Sequence, residues 1–205
     1  EAAAKNGGGT VFLPAGEYLS FTIHLKSKIT LHLDNGAVLI GDQEKDGVGY
    51  DLPEEDAWYK KFQDFGHSYW QNSLIYGDSL RDIAIIGQGM IWGKGLYTYD
   101  KPDIKGSGNK AIGLKNCFNV TIRDISILHG GHFCILATGV DNLTIDNVRA
   151  DADLEAAAGE VRIAALHERP REAGVDADGE AALLREGEEL RLDPEAVKRD
   201  VEVGV

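Results

Sequence analysis

Four stretches of this chain open on the same figure: a polar residue, a β-branched residue or Leu, a small residue, then Ile or Leu. They are Lys28-Ile29-Thr30-Leu31, Asp82-Ile83-Ala84-Ile85, Asn119-Val120-Thr121-Ile122 and Asn142-Leu143-Thr144-Ile145. Each runs through a turn signal into a second short alternating stretch, as in KITLHLDNGAVLIG and NVTIRDISIL. Alternation with period two places successive side chains on opposite faces, which is the signature of strands and not of helices. The last two copies start 23 residues apart and the earlier ones 54 and 37 apart, as expected when loops are inserted between equivalent units.

A unit of this kind cannot bury its inward side chains alone, so the pattern predicts a stack of coils sharing one continuous core, a parallel β-solenoid. The expected inward residues are Ile29, Leu31, Ile83, Ile85, Val120, Ile122, Ile125, Ile127, Leu143 and Ile145. Asparagines at equivalent turns are expected to form side-chain ladders between coils. That structural role is preferred for Asn119-Val-Thr and Asn142-Leu-Thr over their reading as glycosylation sequons. The glycines of GQGMIWGKG (87–95) lack the spacing of a phosphate loop and suit tight coil corners. Irregular loop lengths favour the solenoid over a β-propeller or a sandwich.

Upstream, EAAAK reads as the end of a helix (with the composition of an engineered spacer), NGGG as its stop, and TVFLPAGEY as strand, turn and strand. The stretch 42–73 interrupts the repeat and holds two of the three tryptophans, Trp58 and Trp70. Such an insertion either arches over a groove, where aromatic faces stack on sugar rings, or packs its own aromatics down for stability.

Charge divides the chain. Of its 205 residues, 151–205 carry 16 acidic and 7 basic side chains, a net −9, against 18 and 14, a net −4, over 1–150. The tail has no Phe, Tyr, Trp, Cys, Met, Ser, Thr, Asn or Gln. We therefore expect two parts: solenoid coils over 1–150 and an acidic Ala/Glu/Arg-rich tail or cap over 151–205. Within the tail EVRIAAL (160–166) suits a strand or a short helix, and LREGEELRL reads as helix or hairpin. The tail either caps the open end of the solenoid or stays disordered. An overall charge of −13 argues against a nucleic-acid partner, and an acidic ligand would need a local cationic cleft. No apolar run approaches the roughly 18 residues of a membrane span, so no membrane partner is expected. Cys117 and Cys134 make neither a disulfide framework nor a zinc site and are expected to be buried apolar residues.

Taken together over roughly 1–150, GGGTVFLPAGEY, KITLHLDNGAVLIG, SLIYGDSLRDIAIIGQGMIWGKG and GNKAIGLKNCFNVTIRDISILHGGHFCILATGVDNLTIDNV resemble the N-terminal coils of glycoside hydrolase family 28, the polygalacturonase-like enzymes. The resemblance implies an all-β fold, a right-handed parallel β-helix, here truncated and followed by an unrelated-looking tail. It implies inverting hydrolysis of pectic, galacturonic-acid-containing oligo- or polysaccharides by a monomer without cofactor, secreted or periplasmic if it follows the family. Inversion needs two carboxyl groups about 6.5–9.5 Å apart, one protonating the leaving oxygen and one activating water.

Family members carry an Asn-Thr-Asp-type motif, then an Asp-Asp pair, Gly-His-Gly and Arg-Ile-Lys. Here the first should follow Val148, where Asp153-Leu154-Glu155 stands: Glu155 at the catalytic aspartate and Asp153 at the asparagine. Glu is one methylene longer than Asp, and a shift near 1 Å can cost about a hundredfold in rate. None of the later motifs follows. The catalytic candidates are therefore Asp151, Asp153 and Glu155, whose plain alternative is a solvated turn before a helix. The substrate-binding candidates are His132, Phe133, Trp70 and Trp58. His129 and His132 of HGGHF lack the further ligands that a metal site needs, so no metal is expected. The alternatives to an enzyme are a non-catalytic solenoid fragment or chimera, and a carbohydrate-binding module built on the 58–70 aromatics.

Overall fold

A computed structural model describes residues 1–54, 69–97, 108–151 and 163–166, with the backbone alone described for Asp151 and 163–166. After one helical turn, α1 (Ala2–Lys5), the described chain is built from strands. They come three to a coil. The first coil is β1 (Gly9–Leu13), β2 (Gly16–Ser20) and β3 (Ile23–His24); the second is β4 (Ile29–Leu33), β5 (Ala37–Gly41) and β6 (Ser73–Asp78). The third is β7 (Arg81–Ile86), β8 (Met90–Trp92) and β9 (Lys110–Lys115); the fourth is β10 (Phe118–Arg123), β11 (Ser126–Leu128) and β12 (Phe133–Thr138). The fifth is β13 (Asp141–Asp146), β14 (Arg149–Asp151) and β15 (Ile163–Leu166).

Equivalent strands stack into three five-stranded sheets: sheet A (β1, β4, β7, β10, β13), sheet B (β2, β5, β8, β11, β14) and sheet C (β3, β6, β9, β12, β15). Every pairing between these strands is parallel, which is a parallel β-helix and excludes the antiparallel sandwich and propeller. The coils continue past the change in composition, since β14 takes in Asp151 and β15 draws Ile163–Leu166 from the acidic tail. EVRIAAL thus supplies a strand, and the rest of the tail reading, LREGEELRL included, lies outside the described residues.

The register turns the repeats into columns. Val11, Leu31, Ile85, Ile122 and Ile145 align inside sheet A. Tyr18, Leu39, Ile91, Ile127 and Ala150 align in sheet B, and Ile23, Ile75, Ile112, Ile135 and Ile163 in sheet C. Fully burying one such isoleucine stabilises the fold by roughly 1.5–3 kcal/mol. Eight of the expected inward residues are buried, and Leu143 and Ile145 of the fifth coil pack half-buried against the same core. Cys117 and Cys134 are buried and not joined in a disulfide, and burial pushes the Cys117 thiol up.

The first residue of each repeat turns the corner from sheet C into sheet A. Lys28, Asp82, Asn119 and Asn142 are all left-handed, with φ of 63°, 56°, 58° and 54°. Asn and Asp tolerate this conformation best among non-glycine residues. Their side chains form the ladder: Asn142 Nδ2 donates to Asn119 Oδ1 at 2.9 Å, and Asn119 Nδ2 to Asp82 Oδ1 at 2.8 Å. A second ladder joins Asn147 to Asp124 at 2.8 Å on the corner from sheet A to sheet B. At Gly87 (φ 115°) an added Cβ would run into the Leu33 carbonyl of the preceding coil, which explains one glycine of GQGMIWGKG.

Candidate functional site

The three corners of the coil are not alike. From sheet A to sheet B the chain needs two or three residues, as at 34–36, 87–89 and 124–125, and from sheet C to sheet A it needs two at 79–80, 116–117 and 139–140. From sheet B to sheet C it leaves at Gly41 and returns at Ser73, leaves at Trp92 and returns at Lys110, and leaves at Asp151 and returns at Ile163. Among the described strands, the long connections therefore all depart from one corner. In stacked-repeat folds, insertions gathered on one side are where ligands are met, because a rigid scaffold holds the loops that touch them.

The returns of these connections are knitted together. Asn72, Asn109 and His132 each stand immediately before a strand of sheet C. The Asn109 amide donates to the Asn72 carbonyl at 2.9 Å, and the His132 N–H donates to the Asn109 carbonyl at 2.7 Å. Lys110 is wholly buried and donates from Nζ to Asn72 Oδ1 at 3.3 Å. A buried ammonium persists only where acceptors surround it, so this network fixes the geometry of the corner.

Sheet C differs from its neighbours in being covered on both faces. β9 and β12 are buried almost throughout, and Trp70, at the end of the first insertion, packs on the outer side of β12. Trp70 is the anchor. Its indole N–H donates to Thr138 Oγ1 at 3.1 Å, across two strands, and its ring joins Phe133 and Leu136 in a small cluster with Tyr69 and Tyr76 against it. Its carbonyl accepts the Ser73 hydroxyl at 2.6 Å. Gly113 sits between Tyr76 and Leu136 in the same column, and a side chain there would meet the Trp70 carbonyl at 2.5 Å. Glu54 holds the other side: its carboxylate accepts the backbone N–H groups of Trp70 (3.0 Å) and Gln71 (3.1 Å). Burial nevertheless raises its pKa, outweighing those hydrogen bonds and the nearby Lys115 ammonium.

Polar and charged groups line the rest of the outer face. Asp78, Lys115 and Thr138 form one column. Lys115 lays its ammonium 4.4 Å from the centre of the Trp70 ring. Tyr76 donates to Asp78 at 3.5 Å, and burial pushes its phenol up. At the first coil, His24 pairs with Asp51 at 2.6 Å and meets the edge of Tyr76.

Of the sequence candidates, the described ones, Trp70, His132, Phe133 and Asp151, flank this one corner from three separate places in the chain. His132 is partly exposed with its ring edge-on to Phe133, 4.7 Å away. Phe133 is 1% exposed and Trp70 2%, so both rings serve packing in this arrangement and present no open face. Asp151 ends β14 opposite Leu128. Asp153 and Glu155 follow in the connection to β15, and Trp58 belongs to the first insertion; all three lie outside the described residues. Lys110, Lys115, Asn72, Asn109 and Glu54 were missed. Aligning SLIYGD, KAIGLK and FCILAT as the third strand of successive coils would have exposed the Asp78–Lys115–Thr138 column.

No protein-family model matches the chain, and no curated protein matches it by sequence. Solved structures do. A candidate glycosyl hydrolase from Parabacteroides merdae superposes with a TM-score of 0.52 at 20% identity, over 76% of this chain and 65% of its own. A hyperthermoactive exopolygalacturonase from Thermotoga maritima gives 0.57 at 19% identity, over 74% and 41%. A family 28 exopolygalacturonase from Yersinia enterocolitica gives 0.51 at 19% identity, over 71% and 33%. The chain thus spans between 33% and 65% of the length of these structures. At such identities the likeness is one of architecture: the chain has a glycoside hydrolase-like parallel β-helix of the kind found in polygalacturonases.

Proposed function

We propose that this chain is a polygalacturonase-like scaffold that holds galacturonic-acid-containing glycans against the outer side of sheet C and does not cleave them unaided. The observation that carries the reading is the corner from sheet B to sheet C, from which the long connections among the described strands depart and beside which Trp70, His132, Phe133 and Asp151 stand. Likeness to exopolygalacturonases supports the class of ligand. The incapacity follows from chemistry. Inverting hydrolysis needs an acid and a base held on opposite sides of the scissile bond. Asp153-Leu154-Glu155 offers an overlong carboxylate where the acid is expected, and no Asp-Asp pair, Gly-His-Gly or Arg-Ile-Lys stands later in the sequence.

A reducing-sugar assay on polygalacturonate tests this together with a binding measurement on the same preparation. The expected outcome is retention on a polygalacturonate column without release of reducing ends. Release that disappears on Glu155→Gln would instead establish catalysis by this chain. Passage through the column unretarded would remove the glycan reading and leave a non-catalytic solenoid.

A further inference from the structure

We infer that Lys115 is the residue by which this face recognises a sugar carboxylate, its ammonium taking the acid group of a uronic unit laid along the outer side of sheet C. The inference rests on the reading above and goes beyond it by naming the group that separates acidic from neutral glycans.

The geometry starts with the column. Lys115 ends β9 and stands between Asp78 and Thr138 on neighbouring coils. Adjacent strands of a sheet lie about 4.8 Å apart, which keeps the part-exposed ends of Asp78 and Lys115 within reach of one sugar ring, while Thr138 is buried beneath Trp70. The ammonium lies over the Trp70 ring, 4.4 Å from its centre, so the indole face places the charge, with the Glu54 carboxylate near but not hydrogen-bonded to it. The indole is itself fixed by its N–H on Thr138 and by the Glu54 carboxylate on its backbone N–H.

An ammonium carries three donors and no acceptor. Among the described residues none of the three finds a protein acceptor, because the nearby acceptors are engaged elsewhere. Asp78 accepts the Ser79 hydroxyl on Oδ1 at 2.8 Å and the Tyr76 hydroxyl on Oδ2 at 3.5 Å. Glu54 accepts the backbone N–H groups of Trp70 and Gln71, and Thr138 Oγ1 accepts the indole N–H. Lys115 remains partly exposed, whereas Lys110 on the same strand is buried and bonded to Asn72. Lys115 is therefore a placed cation with open donors on the face where the insertions gather.

Charge sharpens the point. A chain of net charge −13 repels a polyanion at long range, so acidic glycans need a local cation that outweighs the field. A hydrogen bond between an ammonium and a carboxylate is charge-assisted and about twice as strong as a neutral one. A methyl ester keeps the sugar shape but removes that charge.

The test is an equilibrium titration of the full 205-residue chain with a hexamer of galacturonic acid and with its methyl ester. The wild-type chain is expected to prefer the free acid by about tenfold or more, the value of one charge-assisted contact. Lys115→Met should reduce that preference to near unity with the melting temperature unchanged, and Lys115→Arg should keep most of it. Lys115→Gln serves as the neutral variant should the Met variant lose its melting transition. An undiminished preference in both neutral variants would overturn the inference and leave the glycan reading standing. Binding of neither ligand by the wild-type chain would overturn both.

Discussion

Asn119 shows how much a single side chain is asked to do. It holds a left-handed backbone at φ 58°, accepts from Asn142 and donates to Asp82, all on an exposed corner. Alanine there loses both side-chain bonds and places a Cβ in a conformation that costs roughly 1–2 kcal/mol for an ordinary residue. Glycine loses the bonds but not the backbone ease. Asn119→Ala should therefore destabilise the chain by about 1–2 kcal/mol more than Asn119→Gly in urea denaturation. Equal losses would show that the ladder bonds, and not the turn conformation, set the cost. The ladder was legible because Asn recurs at the first position of two repeats with the same Thr two residues on. Lys115 was not legible, since a lysine at a strand end reads as a solvated charge until the fold brings Trp70 beneath it from 45 residues upstream.

Strands of the three sheets were unequally visible for a physical reason. Sheet A strands have one face in the core and one toward solvent, so β4, β7 and β10 alternate plainly, as in the buried and part-exposed pattern of ITLHL. Sheet B strands are short, three residues in β8 and β11, and were seen as continuations after a turn. Sheet C strands are covered on both sides, and KAIGLK and FCILAT lose the period that marks a half-buried strand. Two strands per coil were thus readable and the third was not. The doubly covered sheet also makes a prediction. Ile112 is fully buried in the middle of the sheet C column, between Ile75 and Ile135. Ile112→Ala should cost about 2–5 kcal/mol, the range for truncating a core isoleucine. Loss below 1 kcal/mol in chemical denaturation would mean that the coil stack closes over the gap and is looser than these contacts imply.

At the scale of the molecule, the five described coils make a stack whose sides have separate duties. Sheets A and B meet at tight corners, and side-chain ladders at the corners of sheet A hold the coils in register. The third side collects the insertions, the Trp70 anchor, the buried Asn72–Asn109–Lys110 network and the Lys115 cation. Composition alone marked a boundary near residue 150, yet the coil count runs through it, because stacking needs only a short apolar segment such as IAAL to add a strand. The corner was legible through the first insertion, which breaks the repeat after the second strand of a coil. Its detailed chemistry was not, because it depends on contacts between coils.

The central claim is that this third side is the glycan-binding side. Hydrogen exchange of the full chain with and without saturating galacturonic acid hexamer reads that claim directly, strand by strand. Slowed exchange confined to β6, β9, β12 and the connections that return to them is the predicted result. Protection on sheets A or B, or none anywhere, would contradict it.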